Sequence, residues 1–167
     1  MSLFSVLKFE RSDTPQLLDA RGPRFGALLT TAVLALTLLS GSPALLIFAL
    51  ATFTLGALGG PELTPYAFIY SKLIRPRLKG EVPREDVRPP HFAQIVGFIF
   101  ILVATLAYLL DISALSIVAI GGALAAAFLN AAFNYCLGCE LYLLLVRLRS
   151  WILKSRSLEN SYHLPNL

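Results

Sequence analysis

Charge is what this chain has least of. Only 14% of its 167 residues are Asp, Glu, Lys or Arg, against roughly a quarter in a water-soluble domain. With 56% hydrophobic residues and a mean hydropathy of +0.71, a freely soluble globule is excluded. The runs 25–59, 92–110 and 114–135 contain no charged residue at all. That removes the intramembrane charged relay that marks ion pumps and disfavours a channel or transporter. Histidine is nearly missing too: His91 and His163 are the only two. No Ser-His-Asp arrangement can be drawn, and no nucleotide-binding glycine loop is present. Two cysteines, Cys136 and Cys139, are too few for a disulfide framework. They supply only two of the roughly four ligands a zinc or iron–sulfur site needs. Neither histidine has ligand spacing to them, so a metal site would require a dimer to complete it. No cofactor is called for.

What charge there is has a place. The formal net charge is +4, and all 14 Lys and Arg lie in residues 1–24, 72–88 and 147–156. Positive charge flanking apolar runs is a topology signal before it is a nucleic-acid signal, so no nucleic-acid partner is expected. Residues 1–24 read as a cytoplasmic segment. Met1–Phe9 is short and is followed by acids, unlike a secretory signal.

The apolar run 25–59 is too long for one helix crossing a bilayer that needs about 20 residues. Ser40-Gly41-Ser42-Pro43 breaks it, leaving spans at 25–39 and 43–59. Gly56 and Gly60 offer a close-packing face. Thr64-Pro65 reads as an N-cap with proline in the first turn. Tyr66, Ile69, Tyr70, Leu73 and Ile74 then recur at helical spacing, which predicts an amphipathic helix over about 64–75 in the cytoplasmic headgroup region. After a proline-rich polar loop come spans at 92–110 and 114–136. The last is rich in small residues, Gly121 and Gly122 among them, and reads as the buried central helix. A polar tail covers 152–167. The short linkers between paired spans carry no Lys or Arg, so both termini face the cytoplasm. The expected fold is an all-α integral membrane protein. It is a four-transmembrane-helix bundle over 25–151 with a cytoplasmic interfacial helix, N-in and C-in.

Chemistry concentrates in Phe133-Asn134-Tyr135-Cys136-Leu137-Gly138-Cys139-Glu140-Leu141-Tyr142. Counting from Ala114 puts Cys136 near the cytoplasmic interface, where the resting thiols should be reduced. In an unbroken helix the pair would lie near a C-terminal end, where the dipole disfavours thiolate. A break at Leu137-Gly138 would instead bring Cys139 close to a new helix start, Glu140–Trp151, and favour thiolate. Thiol exchange, half a metal site and simple packing all remain open for the pair. Asn130 and Asn134 share a helix face, largely opposite the cysteines, and suit interhelical hydrogen bonds. Glu140 marks the interface, since an acid beside a thiol raises its pKa.

Several stretches, in order and spacing, resemble the membrane-protein family called domain of unknown function 4395. They are Asp19-Ala20-Arg21-Gly22-Pro23-Arg24-Phe25, Gly60-Pro61-Glu62-Leu63-Thr64-Pro65-Tyr66, Arg75-Pro76-Arg77-Leu78, Glu85 through Gln94, and Asn130 through Tyr142. The resemblance covers roughly residues 17–145, with Cys-Leu-Gly-Cys-Glu as its most specific element; His91 stands where an arginine is expected. It implies a bacterial inner-membrane protein and a retained cysteine pair. It also implies thiol or sulfur chemistry with a thioredoxin-like or sulfurtransferase partner. Two functions follow: relay of thiol/disulfide or sulfur equivalents through Cys136 and Cys139, or a non-catalytic accessory subunit packed against a larger membrane complex.

Overall fold

The structure is a computed structural model that describes residues 17–78 and 82–162, with side chains as far as Lys154. The expectations for residues 1–16, the linker 79–81, the chain end 163–167 with His163, and the side chains beyond Lys154 lie outside it.

A strand β1 (Leu17–Asp19) leads into α1 (Arg21–Ser40) and α2 (Pro43–Gly59). A 3-10 turn, Pro61–Leu63, precedes the short helix α3 (Pro65–Ile69), which runs on through a π turn, Tyr70–Ile74. Strand β2 (Arg84–Asp86) then leads into α4 (Arg88–Leu109), α5 (Ser113–Phe133) and α6 (Leu137–Tyr162). Helices α1, α4 and α5, at 20, 22 and 21 residues, are long and apolar enough to cross a membrane, and α2 is a shorter apolar helix. The protein is therefore an all-α membrane protein.

Buried residues of α1, α2, α4 and α5 meet in one core built on Leu34, Leu46, Phe53, Ile101 and Ile120. Outward-facing leucines and isoleucines such as Leu36, Ile47, Leu55, Ile99 and Leu106 stay exposed, as lipid contact demands. Hydroxyls inside the helices are satisfied locally: Thr31, Thr37, Thr52, Thr54 and Thr105 each donate to the carbonyl four residues back, as a hydroxyl in hydrocarbon must. Ser116 instead ties α5 to α4 by donating to the Ala104 carbonyl at 3.0 Å.

The molecule is built twice. Asp19-Ala20-Arg21-Gly22-Pro23-Arg24-Phe25 and Asp86-Val87-Arg88-Pro89-Pro90-His91-Phe92 share Asp-x-Arg-x-Pro-x-Phe. In each, an Asp Oδ1 accepts the backbone N–H two residues on, Arg21 or Arg88, at 3.0 Å, capping the helix that follows. The strands pair antiparallel, Leu17 with Asp86, Leu18 with Glu85 and Asp19 with Arg84. Exchanging the two halves maps this pairing onto itself, with Leu18 and Glu85 on the axis. The backbone enters left-handed conformation at Gly41 and Asp111 in the two helix hairpins; positive φ recurs at Gly60 and Asn134, after α2 and α5. Phe25 packs on Tyr70 with ring centroids 5.8 Å apart, and Phe92 on Tyr142 at 5.7 Å. The most extensive helix contacts include α1 on α5 and its image, α4 on α2. A pseudo-two-fold along the bundle thus relates β1-α1-α2-α3 to β2-α4-α5-α6, the arrangement of parallel membrane repeats.

Two expectations change. The small-residue helix α5 is not central: Gly121 faces open space, and α4 is the helix that packs on α2, α5 and α6. Small side chains report how closely backbones approach, not which helix sits in the middle. The expected helix 114–136 stops at Phe133, because Asn134 turns left-handed at φ 56 and its N–H closes onto the Asn130 carbonyl.

Candidate functional site

Both cysteines lie at the end of the bundle that holds the strand pair, where α5 stops and α6 begins. The chain break falls at Asn134–Cys136, not at Leu137-Gly138. Asparagine tolerates left-handed backbone better than most residues, so Asn134 supplies the turn that was assigned to Gly138. Gly138 is already helical, and its role is contact. A Cβ there would stand 2.6 Å from the Ala93 Cβ and 2.7 Å from its Cα, so glycine is what lets α6 lie on α4. Phe92 and Tyr142, with Ile95, Val96, Leu145 and Val146 around them, complete that seam.

Cys136 occupies the position just before α6. Its Sγ accepts the backbone N–H of Cys139 at 3.3 Å, and its carbonyl accepts the Glu140 N–H at 3.0 Å. This is N-cap geometry performed by sulfur. In the other half Thr64 does the same before α3, its Oγ1 accepting the Ala67 N–H at 3.2 Å. Tyr70 and Tyr142 follow their caps at equal distance along the chain. The sulfurs of Cys136 and Cys139 are joined as a disulfide, with Cα atoms 5.2 Å apart, inside the range a disulfide requires. The expected free thiols are thus replaced by an oxidised pair, because one helical turn beginning at a cap brings the two sulfurs together.

The pair faces two spaces. A polar cleft of about 330 Å³ is lined by Arg24, Glu85, Asp86, Asn130, Asn134 and Glu140 as well as both cysteines. The asparagines were expected opposite the cysteines; the turn at Asn134 interrupts the helical face on which that rested and brings all four residues to one cleft. Glu140 is exposed, in the first turn of α6, where a carboxylate suits the helix dipole. Gly122 abuts the Phe100 ring, 2.9 Å from where its Cβ would be. On the other side an apolar cavity of about 320 Å³ reaches into the bundle from Cys136, Leu137 and Gly138. Among the described residues no group of three or more His, Cys, Asp or Glu could hold a metal ion. His91 is fully buried, and its Nε2 donates to the Ala57 carbonyl at 2.8 Å; it pins α4 to α2 and takes no part in the cysteine site.

Around this junction the repeat differs in its electrostatics. Burial, reinforced by a 2.8 Å hydrogen bond to Asp19 Oδ2, pushes the Tyr70 hydroxyl up to about 12. Burial also pushes the Tyr142 hydroxyl up, but the Arg88 guanidinium beside it pulls the other way. Residue-by-residue reading missed Asp19, Tyr70, Asp86, Arg88 and Gln94. Aligning the chain with itself on Asp-x-Arg-x-Pro-x-Phe would have found Asp19, Asp86 and Arg88.

A helical membrane bundle carrying a capping disulfide at one end is the class these features define. Residues 18–147 match the model of the family described as Domain of unknown function (DUF4395), and the chain belongs to that family. No curated protein and no solved structure matches it.

Proposed function

We propose that the protein is a membrane thiol–disulfide exchanger whose Cys136–Cys139 bond trades two electrons with a dithiol partner at the cytoplasmic face. The observation that carries this reading is the cap. The first half shows that the scaffold is served by a hydroxyl, Thr64, at this position, and threonine is an established N-cap while cysteine is not among the favoured residues. Sulfur at Cys136 therefore answers to chemistry, since departures from local preference collect at functional sites.

The step balances as follows. A partner thiolate attacks Cys139 Sγ, the S–S bond breaks, and its electron pair leaves on Cys136. There the thiolate is held by the Cys139 N–H and the α6 N-terminus. The partner's second thiolate then displaces Cys139. The partner leaves as a disulfide, and Cys136 and Cys139 take up its two protons as thiols. In the reverse direction Cys136, at the helix start with the Cys139 N–H on its sulfur, is the nucleophile.

The membrane frame supports that side of approach. With α2 as a fourth, short crossing, both hairpin turns are free of Lys and Arg while Arg21, Arg24, Arg84 and Arg88 stand with the strand pair at the disulfide end, which favours the cytoplasmic side of a bacterial inner membrane for that end. Helix α6 presents Leu137, Leu141, Leu144, Leu148 and Trp151 as an exposed stripe beside Arg147 and Lys154, as a helix lying in the headgroup region does.

The test is trapping. Cys139→Ser leaves Cys136 able to attack the partner's disulfide with no second cysteine to resolve the product, and in membranes that variant should hold the partner as a mixed disulfide released by reductant. If small dithiols fail to reduce the disulfide in native membranes but reduce it after denaturation, the pair is structural and the accessory-subunit role takes its place.

A further inference from the structure

A disulfide spent on a dithiol must be remade, and the apolar cavity shows from which side. It is walled by the rings of Phe53 and Phe100 and kept open by Gly97 and Gly122. A Cβ at Gly97 would stand 2.2 Å from the Phe53 ring, and one at Gly122 2.9 Å from Phe100, so glycine is required for the rings to lie where they do. Phe100 is 41% exposed and Gly122 is exposed. Both lie near the middle of their helices, so the mouth opens sideways at the depth of the hydrocarbon. Asn130 and Cys136 also line the cavity. Gln94 also lines the wall, with a buried Oε1 that has no hydrogen-bond partner. That oxygen lies against Gly56 of α2, 2.6 Å from where a Cβ there would be, so the amide packs α4 on α2 beside the cavity. At about 320 Å³ the space falls within the usual range for small-molecule sites.

We propose that this cavity binds a membrane-soluble quinone, which reoxidises Cys136 and Cys139; the inference rests on the exchange function proposed above. A flat ring with carbonyls at its edge suits two aromatic walls and the Asn130 amide. Cys136 lines both the cleft and the cavity, whereas Cys139 lines only the cleft, so Cys136 is the residue positioned to pass electrons between them. The Cys136 thiolate adds to a ring carbon. Cys139 thiolate then attacks Cys136 Sγ, forming the S–S bond and breaking C–S. The electron pair stays on the ring, and the two thiol protons end on its oxygens. One dithiol and one quinone become one disulfide and one hydroquinone.

The experiment uses the full chain, reduced and freed of reductant, in quinone-free phosphatidylcholine nanodiscs, with decylubiquinone as the probe. Loss of thiols should match hydroquinone formed, one to one. Ala126→Leu, which fills the cavity, should slow this oxidation at least about tenfold while exchange with dithiothreitol proceeds at the wild-type rate. Wild-type protein that exchanges with dithiothreitol but is not oxidised by the quinone, or is oxidised as fast as Ala126→Leu, overturns the quinone site and leaves the exchange function standing. Protein that exchanges with no dithiol at all overturns both.

Discussion

The two halves of the molecule carry the same frame and different chemistry. Each has an aspartate capping its first long helix, a left-handed turn between helices, a Phe–Tyr ring contact, and a side-chain cap on its third helix. At the cap they part: a hydroxyl at Thr64, a sulfur at Cys136. Three positions further on stand Ala67 and Cys139. Two positions beyond the cap stand Tyr66, buried against the bundle, and Gly138, which lets α6 close onto α4. The first half therefore acts as an internal control for the second. Whatever the frame needs from this corner, Thr64 provides without sulfur, so what the second half adds is a pair of sulfurs that capping does not require. The helices differ in the same sense. α3 passes after five residues into the π turn that ends at Ile74, whereas α6 runs on for 26, giving the cysteine corner a longer seat.

Making the second half like the first should have the largest effect. Cys136→Thr keeps a cap, so helical content and thermal stability should stay close to wild type. Dithiol exchange should fall below detection, because a hydroxyl forms no disulfide. Retained exchange in that variant would place the chemistry elsewhere. Making the first half like the second runs the comparison the other way. With Thr64→Cys and Ala67→Cys introduced together, the α3 start should oxidise to a second disulfide, counted by thiol titration under denaturing conditions before and after reduction. Two extra free thiols in the aerobically purified protein would mean that the two corners do not share their geometry.

A smaller effect separates the seats. Gly138→Leu drives a side chain into the Ala93 backbone and should cost at least the roughly 1–3 kcal/mol of an overpacked contact. Proteolysis within α6 should then rise while the four-helix core survives. Tyr66→Leu, at the matching position, should leave α6 protection unchanged. Equal proteolysis of Gly138→Leu and wild type would show that α6 does not depend on this contact.

The smallest effect concerns Tyr70, whose hydroxyl bonds Asp19 where Tyr142 meets Arg88. Tyr70→Phe should cost about 1 kcal/mol, the net worth of one hydrogen bond. Its pH signature is sharper. The folded value is raised to about 12 from an unfolded value of about 10. The stabilisation is therefore complete below about 10 and is lost as pH climbs through about 12. Unfolding midpoints across that window should decline more steeply for wild type than for Tyr70→Phe. Parallel slopes would mean that Tyr70 ionises as it does in the unfolded chain.

The sequence by itself determined the apolar runs, the turns and the basic end. Ser40-Gly41-Ser42-Pro43 parts α1 from α2 as its composition requires, because glycine at φ 62 and a proline at the next helix start are local preferences. Thr64-Pro65 capped its helix for the same reason. The uncharged lengths follow from the solvent alone, since hydrocarbon rejects charge wherever the chain meets it. Where several distant segments had to agree, the sequence was silent or misleading. Gly138 looked like a break, but its neighbour Ala93 lies far back in the chain and makes it a contact. Asn134, read as a helical amide, became the turn once α6 had to fold back onto α4. The partnering of Leu18 with Glu85 and the burial of His91 against Ala57 exist only when the two halves close around their common axis. Local backbone preference and transfer from water are properties of short stretches; the meeting of Cys136 with the cavity depends on how five helices pack, and only the tertiary structure decided it.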